Sequence, residues 1–591
     1  MDRRIIVIGA GAAGLSAALA LAEMEISVLL VSEQPSERSQ SVMAEGGINA
    51  VVLSDISEDS PQKHAEETIQ AGRNLADRRA VEAMTQAAPS IVEKLYSEGM
   101  SWTLNADKQP ERRAFGGQKY KRTAFAADST GKQLIHTLTE KVRRYEVQGM
   151  IERKVGWQFV QLLYRKINYI GGQSIGGQKD GKLENQQVCG CVLYDAMHNI
   201  YEDVYGAGVI VASGGLNGLF GNATGSVKNS GYVTASLFAD GVPFANGEFI
   251  QYHPTTAKLH GKHMLITEAV RGEGGRLFVE KNGKLYYFME EKYPELGNLM
   301  PRDVVSREEW QLMMEGYQIW LDMRGMDADI YTNRLRHVVE SCRTFLGIDV
   351  TKEPIPVQPG IHYFMGGILV DKDHRTEIKG LYAAGECACQ YHGANRLGGN
   401  SLLGALYGGK IAAASVAADM AIMNETADVF KAEVERGQTA ANQSEIELRQ
   451  TALKWSKIAP GQICADSSED VSGQNCGNYS KNISKLQNIL RSAMGIIRNE
   501  DCLRNGYEAI QKLSEAVEKE ADGQMMAFEK KMLRDSCRLG EAMVLSALHR
   551  KESRGAHQRS DYPDERVEYQ KTTVARCTKD GIQISFQGIN G

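Results

Sequence analysis

The stretch from Ile5 to Gly47 constrains the fold more than any other part of the chain. Ile5–Ile8 is a short apolar run of strand type, and Gly9, Gly11 and Gly14 follow it as G-x-G-x-x-G. An Ala/Leu-rich segment then runs to about Glu23, and a second apolar run, Ile26–Val31, ends on Ser32 and Glu33. Strand, glycine turn, helix, strand, acid is the order of a dinucleotide-binding βαβ unit. Gly9 permits the tight turn, Gly11 lets a pyrophosphate approach the main chain, and Gly14 lets the helix pack close to the strand. The helix N-terminus offers unpaired N–H groups and a partial positive charge to the phosphates. Ser32 and Glu33 close the unit, and the Glu33 carboxylate can accept from ribose hydroxyls. By itself this stretch leaves NAD and FAD open.

The chain has 591 residues, too many for one core, so several domains are expected. With 42% hydrophobic and 24% charged residues it reads as an ordinary globular protein, and its net charge of −6 gives no reason to expect nucleic-acid binding. No apolar run is expected to reach the length of a membrane span, and the first strand is expected to leave no room for a signal peptide. The expectation is a cytoplasmic protein that meets the inner face of the cell membrane, if at all, through partner subunits. Ten cysteines include C-x-C pairs at Cys189/Cys191 and Cys387/Cys389, but none has iron–sulfur or zinc spacing. Free buried thiols are expected, and no bound metal.

Helical spacing is expected over Gln62–Gln70, Ala80–Gly99 and Lys132–Arg144, with a loop over Trp102–Gly131. Trp157–Leu163, Val188–Leu193 and Val209–Ala212 read as strands, and the last runs into Ser213–Gly214–Gly215. Ile170–Gln187, rich in Gly and Gln, reads as a hairpin tip. From about Gly247 the texture becomes motif-dense, and nucleotide-domain texture returns at Gly380–Glu386, before a polar loop, His392–Ser401, and a small-residue helix, Leu402–Met423. Ser444–Lys457, Ile483–Arg498, Leu503–Lys519 and Met526–His549 have the spacing of a helical bundle, with a polar loop at Asp466–Asn482. Lys551–Phe586 ends in a β-like tail. The fold class is therefore α/β. A Rossmann-like nucleotide-binding domain (1–246 and 359–423) carries an inserted α+β capping domain (247–358). A helical bundle domain (424–549) and a small C-terminal domain (550–591) follow. A cap inserted in this way creates a cleft suited to ligands.

RRAFGG at 112–117, KRTAFAADSTGKQL at 121–134 and KVGWQFVQLL at 154–163 resemble segments of the flavoprotein subunit of the succinate dehydrogenase/fumarate reductase family. The resemblance covers almost the whole chain, from the glycine turn to ESRGAH at 552–557. It implies FAD rather than NAD, an iron–sulfur subunit as partner, and often a membrane quinone-binding subunit. Glu386 would hold the adenine-side ribose. Ser401 and Leu402, at a helix start, would meet the flavin's pyrimidine edge, where the helix N-terminus stabilises negative charge on a reduced flavin. Ser39, Ser41, Ala44, Gly46 and Gly47 would line the flavin, and Gly214 and Gly215 would pass near it. His253 in QYHPT and Thr267 in LITE match the ligands for one substrate carboxylate; His362 in HYFMGG and Arg396 in HGANRLGGNS match those for the other. Arg302 in MPRDVVS matches the proton donor, with Glu268 and Arg271 as the relay that reprotonates it. Arginine is a poor acid in general and needs a desolvated, positively charged setting to act as one. In the alternative, Arg302 only binds charge and His253 or His362 is the acid.

One departure from the family stands out. Many members tether FAD through a histidine in an RSHSV-like segment, and here Arg38–Ser39–Gln40–Ser41–Val42 places Gln40 at that position. An amide cannot form the 8α-histidyl bond, so non-covalent FAD is expected. Since by resemblance the tether raises the flavin potential, its loss favours fumarate reduction over succinate oxidation. L-aspartate oxidase, a relative with untethered FAD, is the runner-up. Its acid for the substrate ammonium would fall at Phe115, whose ring cannot pair with an ammonium and suits a dicarboxylate's apolar middle. A regulatory or assembly module that binds a dinucleotide without turnover would leave the set His253, Thr267, Arg302, His362 and Arg396 unexplained. Lys119, Lys121 and Arg143–Arg144 read as solvated charge, Met525–Met532 as core packing, and His557 as a structural residue.

Overall fold

The structure, a computed structural model, describes residues 4–51, 59–166, 186–259, 262–434, 471–520 and 525–589. The expected Ser444–Lys457 helix lies outside these residues, as does most of the expected Ile170–Gln187 hairpin tip.

Five parallel strands form the central sheet, in the order Leu381–Ala383, Gly208–Val211, Ile5–Ile8, Val28–Ser32 and Ile151–Val155. Their runs are apolar without alternation because both faces are covered. Ile5, Val7, Val28 and Leu30 pack under the helices Ala12–Glu23 and Thr130–Val147, while Ile6, Ile8, Leu29 and Val31 pack on Phe159 and Leu162 of a three-stranded antiparallel sheet. The glycine turn at the end of Ile5–Ile8 lines one cavity together with His253 and His362 of a second body.

That body is built on a six-stranded sheet ordered Lys262–Leu265, Ile250–Leu259, Ile355–Phe364, Ile319–Asp322, Arg276–Lys281 and Lys284–Tyr286. Ile355–Phe364 runs straight through the expected boundary at 358/359 and pairs with Ile250–Leu259 as far as Phe364, so His362 belongs to the capping sheet. A change in sequence texture does not mark where a strand leaves one sheet. The expected β-like tail forms the hairpin Thr572–Thr578 and Gly581–Gln587, which joins Phe244–Ala245 and Gly367–Leu369 in a further sheet. Main-chain pairing thereby joins this hairpin to Phe244–Ala245, more than 300 residues earlier in the chain.

Three helices, Val471–Ala493, Glu500–Lys519 and Ala527–His549, pack around Leu486, Leu490, Leu503, Ile510 and Leu533. The first begins at Val471, inside the segment expected to be a polar loop. Helix propagation beyond a nucleated, packed turn needs one further hydrogen bond per residue and tolerates polar side chains on a solvated face. Within the expected loop Trp102–Gly131, the two-residue strands Arg112–Arg113 and Thr123–Ala124 pair beside Ile48–Asn49.

The helix Asn400–Val434 corrects another expectation. Its segment Asn400–Ile422 has the length and apolarity of a membrane span, with mean hydropathy 1.3. Its small residues have a different use: Gly409 lies on the Ala12–Glu23 helix, and a Cβ there would come within 2.3 Å of the Ala13 carbonyl. Leu403, Leu406, Ala412 and Ala413 are buried in the same core. Eight cysteines are described, all as free thiols, including both C-x-C pairs, and no cluster of metal ligands occurs among the described residues.

Candidate active site

The glycine turn behaves as its residue types dictate. Gly9 has φ +111°, and a Cβ on it would sit 2.2 Å from the Ala212 carbonyl oxygen. A Cβ on Gly14 would sit 1.8 Å from the Gly9 carbonyl oxygen, so the helix can approach the strand only because Gly14 is bare. Gly11 differs: a Cβ on it would meet Ser41 Oγ at 3.2 Å and Ser39 Cβ at 3.8 Å, and Gly11 lines open space. The Ala12 N–H at the start of the helix donates to Ser41 Oγ (3.1 Å).

That open space is a cavity of about 980 Å³ running from the glycine turn to the capping sheet. Of the expected cofactor residues, Gly9, Gly11, Ser32, Glu33, Ser39, Ser41, Ala44, Gly46, Gly47, Gly214, Glu386, Ser401 and Leu402 line it. Gly14 and Gly215 do not; they stand behind the lining. Gly215 backs onto Glu386, whose carboxylate oxygen a Cβ would approach to 2.4 Å. Glu386 accepts from the Phe364 N–H (3.1 Å), and burial pushes its carboxyl up to about 7. Burial raises Glu33 as well. Ser39 Oγ and Ser213 Oγ are buried without a hydrogen-bond partner. Buried hydroxyls of this kind call for a partner. A helix N-terminus, a bare glycine, two partnerless hydroxyls and two half-buried carboxyl groups on one cavity fit the phosphates and ribose of FAD.

At the cavity's other end the short helix Ala269–Gly272, the start of the helix Arg302–Met314 and the loop before Asn400 bring three arginines together. Arg302 donates to Glu268 Oε2 through Nε (2.9 Å) and Nη2 (2.5 Å), and through Nη1 to Gln251 Oε1 (3.1 Å). Arg396 Nη2 donates to the same Gln251 oxygen (3.0 Å), and its guanidinium lies 4.3 Å from the Tyr363 ring centre. Arg271 pairs with Glu268 Oε1 at 3.3 Å and donates to the Asn298 carbonyl (2.6 Å). The Gly116 N–H, from the RRAFGG loop, completes the Glu268 shell at 3.0 Å. His253 and His362, on neighbouring strands, stand with ring centres 5.0 Å apart. Thr267 lines the cavity beside them, whereas Arg271 is held behind Glu268.

The charges act on one another strongly because water is excluded. Burial, then the Arg302 charge, holds both imidazoles well below their usual range, so both rings are neutral at pH 7. Burial works to raise the Glu268 carboxyl, but Arg302 and Arg271 outweigh it and bring it down to about 2. Burial lowers Arg271, and it lowers Arg396 to about 10. The result is one ionised carboxylate among three guanidiniums and two neutral imidazoles. That excess of positive charge suits a substrate with two negative ends.

Gln251 was not singled out by sequence, although QYHPTT contains it. It ties Arg302 to Arg396 and donates through Nε2 to Asn395 Oδ1 (2.8 Å) and the Arg396 carbonyl (2.8 Å). An uncharged polar side chain on a buried strand was the only signal that could have found it. Gln40 also lines the cavity, and its Oε1 accepts from the Ser226 N–H (2.7 Å).

Comparison with known proteins agrees with this geometry. The family described as FAD binding domain matches residues 4–402, and the one described as fumarate reductase flavoprotein C-term matches 483–590. The chain is 34% identical to the succinate dehydrogenase flavoprotein subunit of Bacillus subtilis over 588 residues, covering 97% of this chain and 93% of that one. It is also 34% identical to the fumarate reductase flavoprotein subunit of Mycobacterium tuberculosis over 611 residues, covering 99% and 97%. Among solved structures, an E. coli quinol fumarate reductase chain superposes with a TM-score of 0.83 at 28% identity, covering 100% of this chain and 97% of that one. The chain belongs to the family of succinate dehydrogenase and fumarate reductase flavoprotein subunits. It is an oxidoreductase with FAD as cofactor, and the family's reaction is the FAD-dependent interconversion of succinate and fumarate.

Proposed function

We propose that this chain works as a fumarate reductase, with FAD held without a covalent bond and Arg302 as the proton donor. The observation that carries this reading is the buried Arg302–Glu268–Arg271 chain, which opens onto the cavity beside two neutral histidines. The chemistry contributed by FAD, when bound, is hydride exchange between N5 and a substrate carbon. His362 and Arg396 hold one carboxylate, and His253 and Thr267 hold the other, fixing the substrate for attack. The Arg396 charge stabilises the negative charge that builds on the carboxylate next to the attacked carbon. Arg302 releases a proton from Nη1, the nitrogen on the Gln251 and Arg396 side. With Glu268 ionised at rest, Arg271 first hands a proton to Glu268 Oε1; Glu268 then returns one through Oε2, in contact with Nε and Nη2, to the Arg302 guanidinium, and Arg271 regains its proton from solvent. Neutral imidazoles lack the extra proton that an acid needs, which favours Arg302 over His253 or His362 in this role.

Gln40 sits at the tether position and is engaged with the Ser226 main chain, which supports non-covalent FAD and the reductive direction. The relatives are named as subunits, and one matched structure is titled a quinol-fumarate reductase. An iron–sulfur subunit is the proposed electron partner, with attachment to the membrane through a quinone-binding subunit. L-aspartate oxidase is disfavoured by Phe115, which is 1% exposed and packed on Gly46 and Gly398.

Three measurements on purified holoprotein test this reading. Acid precipitation is expected to leave the yellow chromophore in the supernatant; flavin remaining on the polypeptide would contradict the Gln40 argument. Dithionite-reduced protein is expected to be reoxidised by fumarate, and aspartate is expected to yield no peroxide. Peroxide formation with aspartate would move the assignment to the oxidase.

A further inference from the structure

Residues 221–231, between the central sheet and the capping sheet, belong to no motif that assigns them a role. Yet this segment touches the site at two points. The Thr224 N–H donates to the Ile361 carbonyl (2.9 Å), and Ala223 forms an isolated bridge with Ile361, so the main chain runs beside the strand that carries His362. Thr224 Oγ1 lies 2.8 Å from His362 Nδ1. Two residues on, the Ser226 N–H donates to Gln40 Oε1 (2.7 Å). Thr224, Ser226, Gln40 and His362 all line the cavity.

A neutral imidazole carries one N–H, and the bond made by one ring nitrogen sets which nitrogen carries it. If Nδ1 held the proton, Nε2 would turn a lone pair toward an incoming carboxylate and repel it. If the Thr224 hydroxyl donates to Nδ1, Nε2 carries the hydrogen and can donate to the substrate. Thr224 Oγ1 makes no other hydrogen bond among the described residues, so its proton is free for this use.

We propose that Thr224 is a positioning residue that holds His362 as its Nε2–H tautomer, and that Gln40 braces the segment carrying Thr224 through Ser226. The residue at the flavin-tether position thereby acts on the dicarboxylate end of the site. This inference rests on the reading of His362 as a carboxylate ligand.

The test uses purified holoenzyme, with succinate affinity read from the perturbation of flavin absorbance and with fumarate kcat and KM measured alongside. Thr224→Val removes the donor at nearly constant shape, and loss of one such hydrogen bond is expected to weaken succinate binding and raise the fumarate KM roughly tenfold. FAD content should be unchanged and kcat less affected than KM. Thr224→Ser should restore wild-type affinity. Gln40→Ala should weaken succinate less, and its effect should shrink once Thr224 is already Val, as expected of residues acting through one path. Unchanged succinate affinity in Thr224→Val alongside weakened binding in His362→Ala would overturn the inference and leave the site reading intact. Unchanged affinity in His362→Ala would overturn the site reading itself. Loss of FAD or of fold in Thr224→Val, or additive effects of the two substitutions, would make the contact structural and also overturn the proposal.

Discussion

Glu309 and Glu268 are both fully buried carboxyls, yet their surroundings push them in opposite directions. Glu268 is surrounded by donors and lies at about 2. Glu309, on the helix Arg302–Met314, has neither oxygen hydrogen-bonded; burial raises it well above the usual range, with only a partial offset from Arg271. The stability consequences carry opposite signs. The lowered Glu268 contributes stability above its unfolded value near 4.5, and this is lost as pH falls toward about 2. The raised Glu309 costs stability once pH exceeds about 4.5, where the unfolded chain would ionise and the folded chain does not. Glu309→Leu is therefore expected to stabilise the protein at pH 7 by about 1–3 kcal/mol, the typical cost of a buried unpartnered polar group, with the gain shrinking toward pH 4. Thermal melts at the two pH values check this, and an equal or lower melting temperature at pH 7 would show that Glu309 has a partner in solution. At this scale the sequence was partly legible. His253, Arg302, His362 and Arg396 each lie in a run of unusual residues, and the structure brings them to one cavity. Gln251, Thr224 and Glu309 could not be read, because a single polar residue on a strand, loop or helix is solvent-facing by default until packing decides otherwise.

Among the elements, the turn between Ile5–Ile8 and Ala12–Glu23 was the most legible, because its glycines answer to backbone geometry. Its two inner positions should respond differently to a methyl group. Gly14→Ala would drive a Cβ to 1.8 Å from a main-chain oxygen, and relief requires the helix to shift off the sheet. Destabilisation of about 1–3 kcal/mol or more is expected, with loss of FAD. Gly11→Ala meets Ser41 Oγ at 3.2 Å and Ser39 Cβ at 3.8 Å and no main-chain atom, so the apoprotein should keep its melting temperature while FAD affinity falls. Thermal melts of the apoproteins and FAD titration by fluorescence quenching separate the two effects. The capping sheet was less legible. Ile355–Phe364 is one strand with a motif at its end, and texture divided it because chemistry-bearing residues crowd one half. The Asn400–Ile422 helix shows the converse case, in which membrane-like composition serves helix-on-helix packing.

On the scale of the whole molecule, the C-terminal segment holds the loop that carries Arg396 in place. Arg550, Arg554 and Glu552 are buried together: Arg550 bonds Glu248 (2.5 Å) and Glu552 (2.8 Å), and Arg554 bonds Glu552 and the Arg73 carbonyl. The Ala556 N–H donates to the Ala394 carbonyl, two residues before Arg396. Buried His557 lies 3.0 Å from Arg498 Nη1, in keeping with a structural part. ESRGAH was legible as a family mark, but its physical task was not, since Arg73 and Ala394, which it bonds, lie in distant parts of the chain. Arg550→Ala would leave two buried carboxylates short of a partner, and a loss of about 3–5 kcal/mol is expected. Urea unfolding followed by tryptophan fluorescence measures it; a loss under 1 kcal/mol would mean that water already reaches the cluster.

The central claim is that a dicarboxylate binds over FAD and takes its proton from Arg302. Stopped-flow reoxidation of the dithionite-reduced protein by fumarate, in the wild type and in Arg302→Ala, addresses it directly. Loss of a positioned acid typically removes about 10²–10⁴-fold of rate, so Arg302→Ala should keep its FAD and reoxidise slower by that factor. Reoxidation of Arg302→Ala by fumarate at the wild-type rate would contradict the claim.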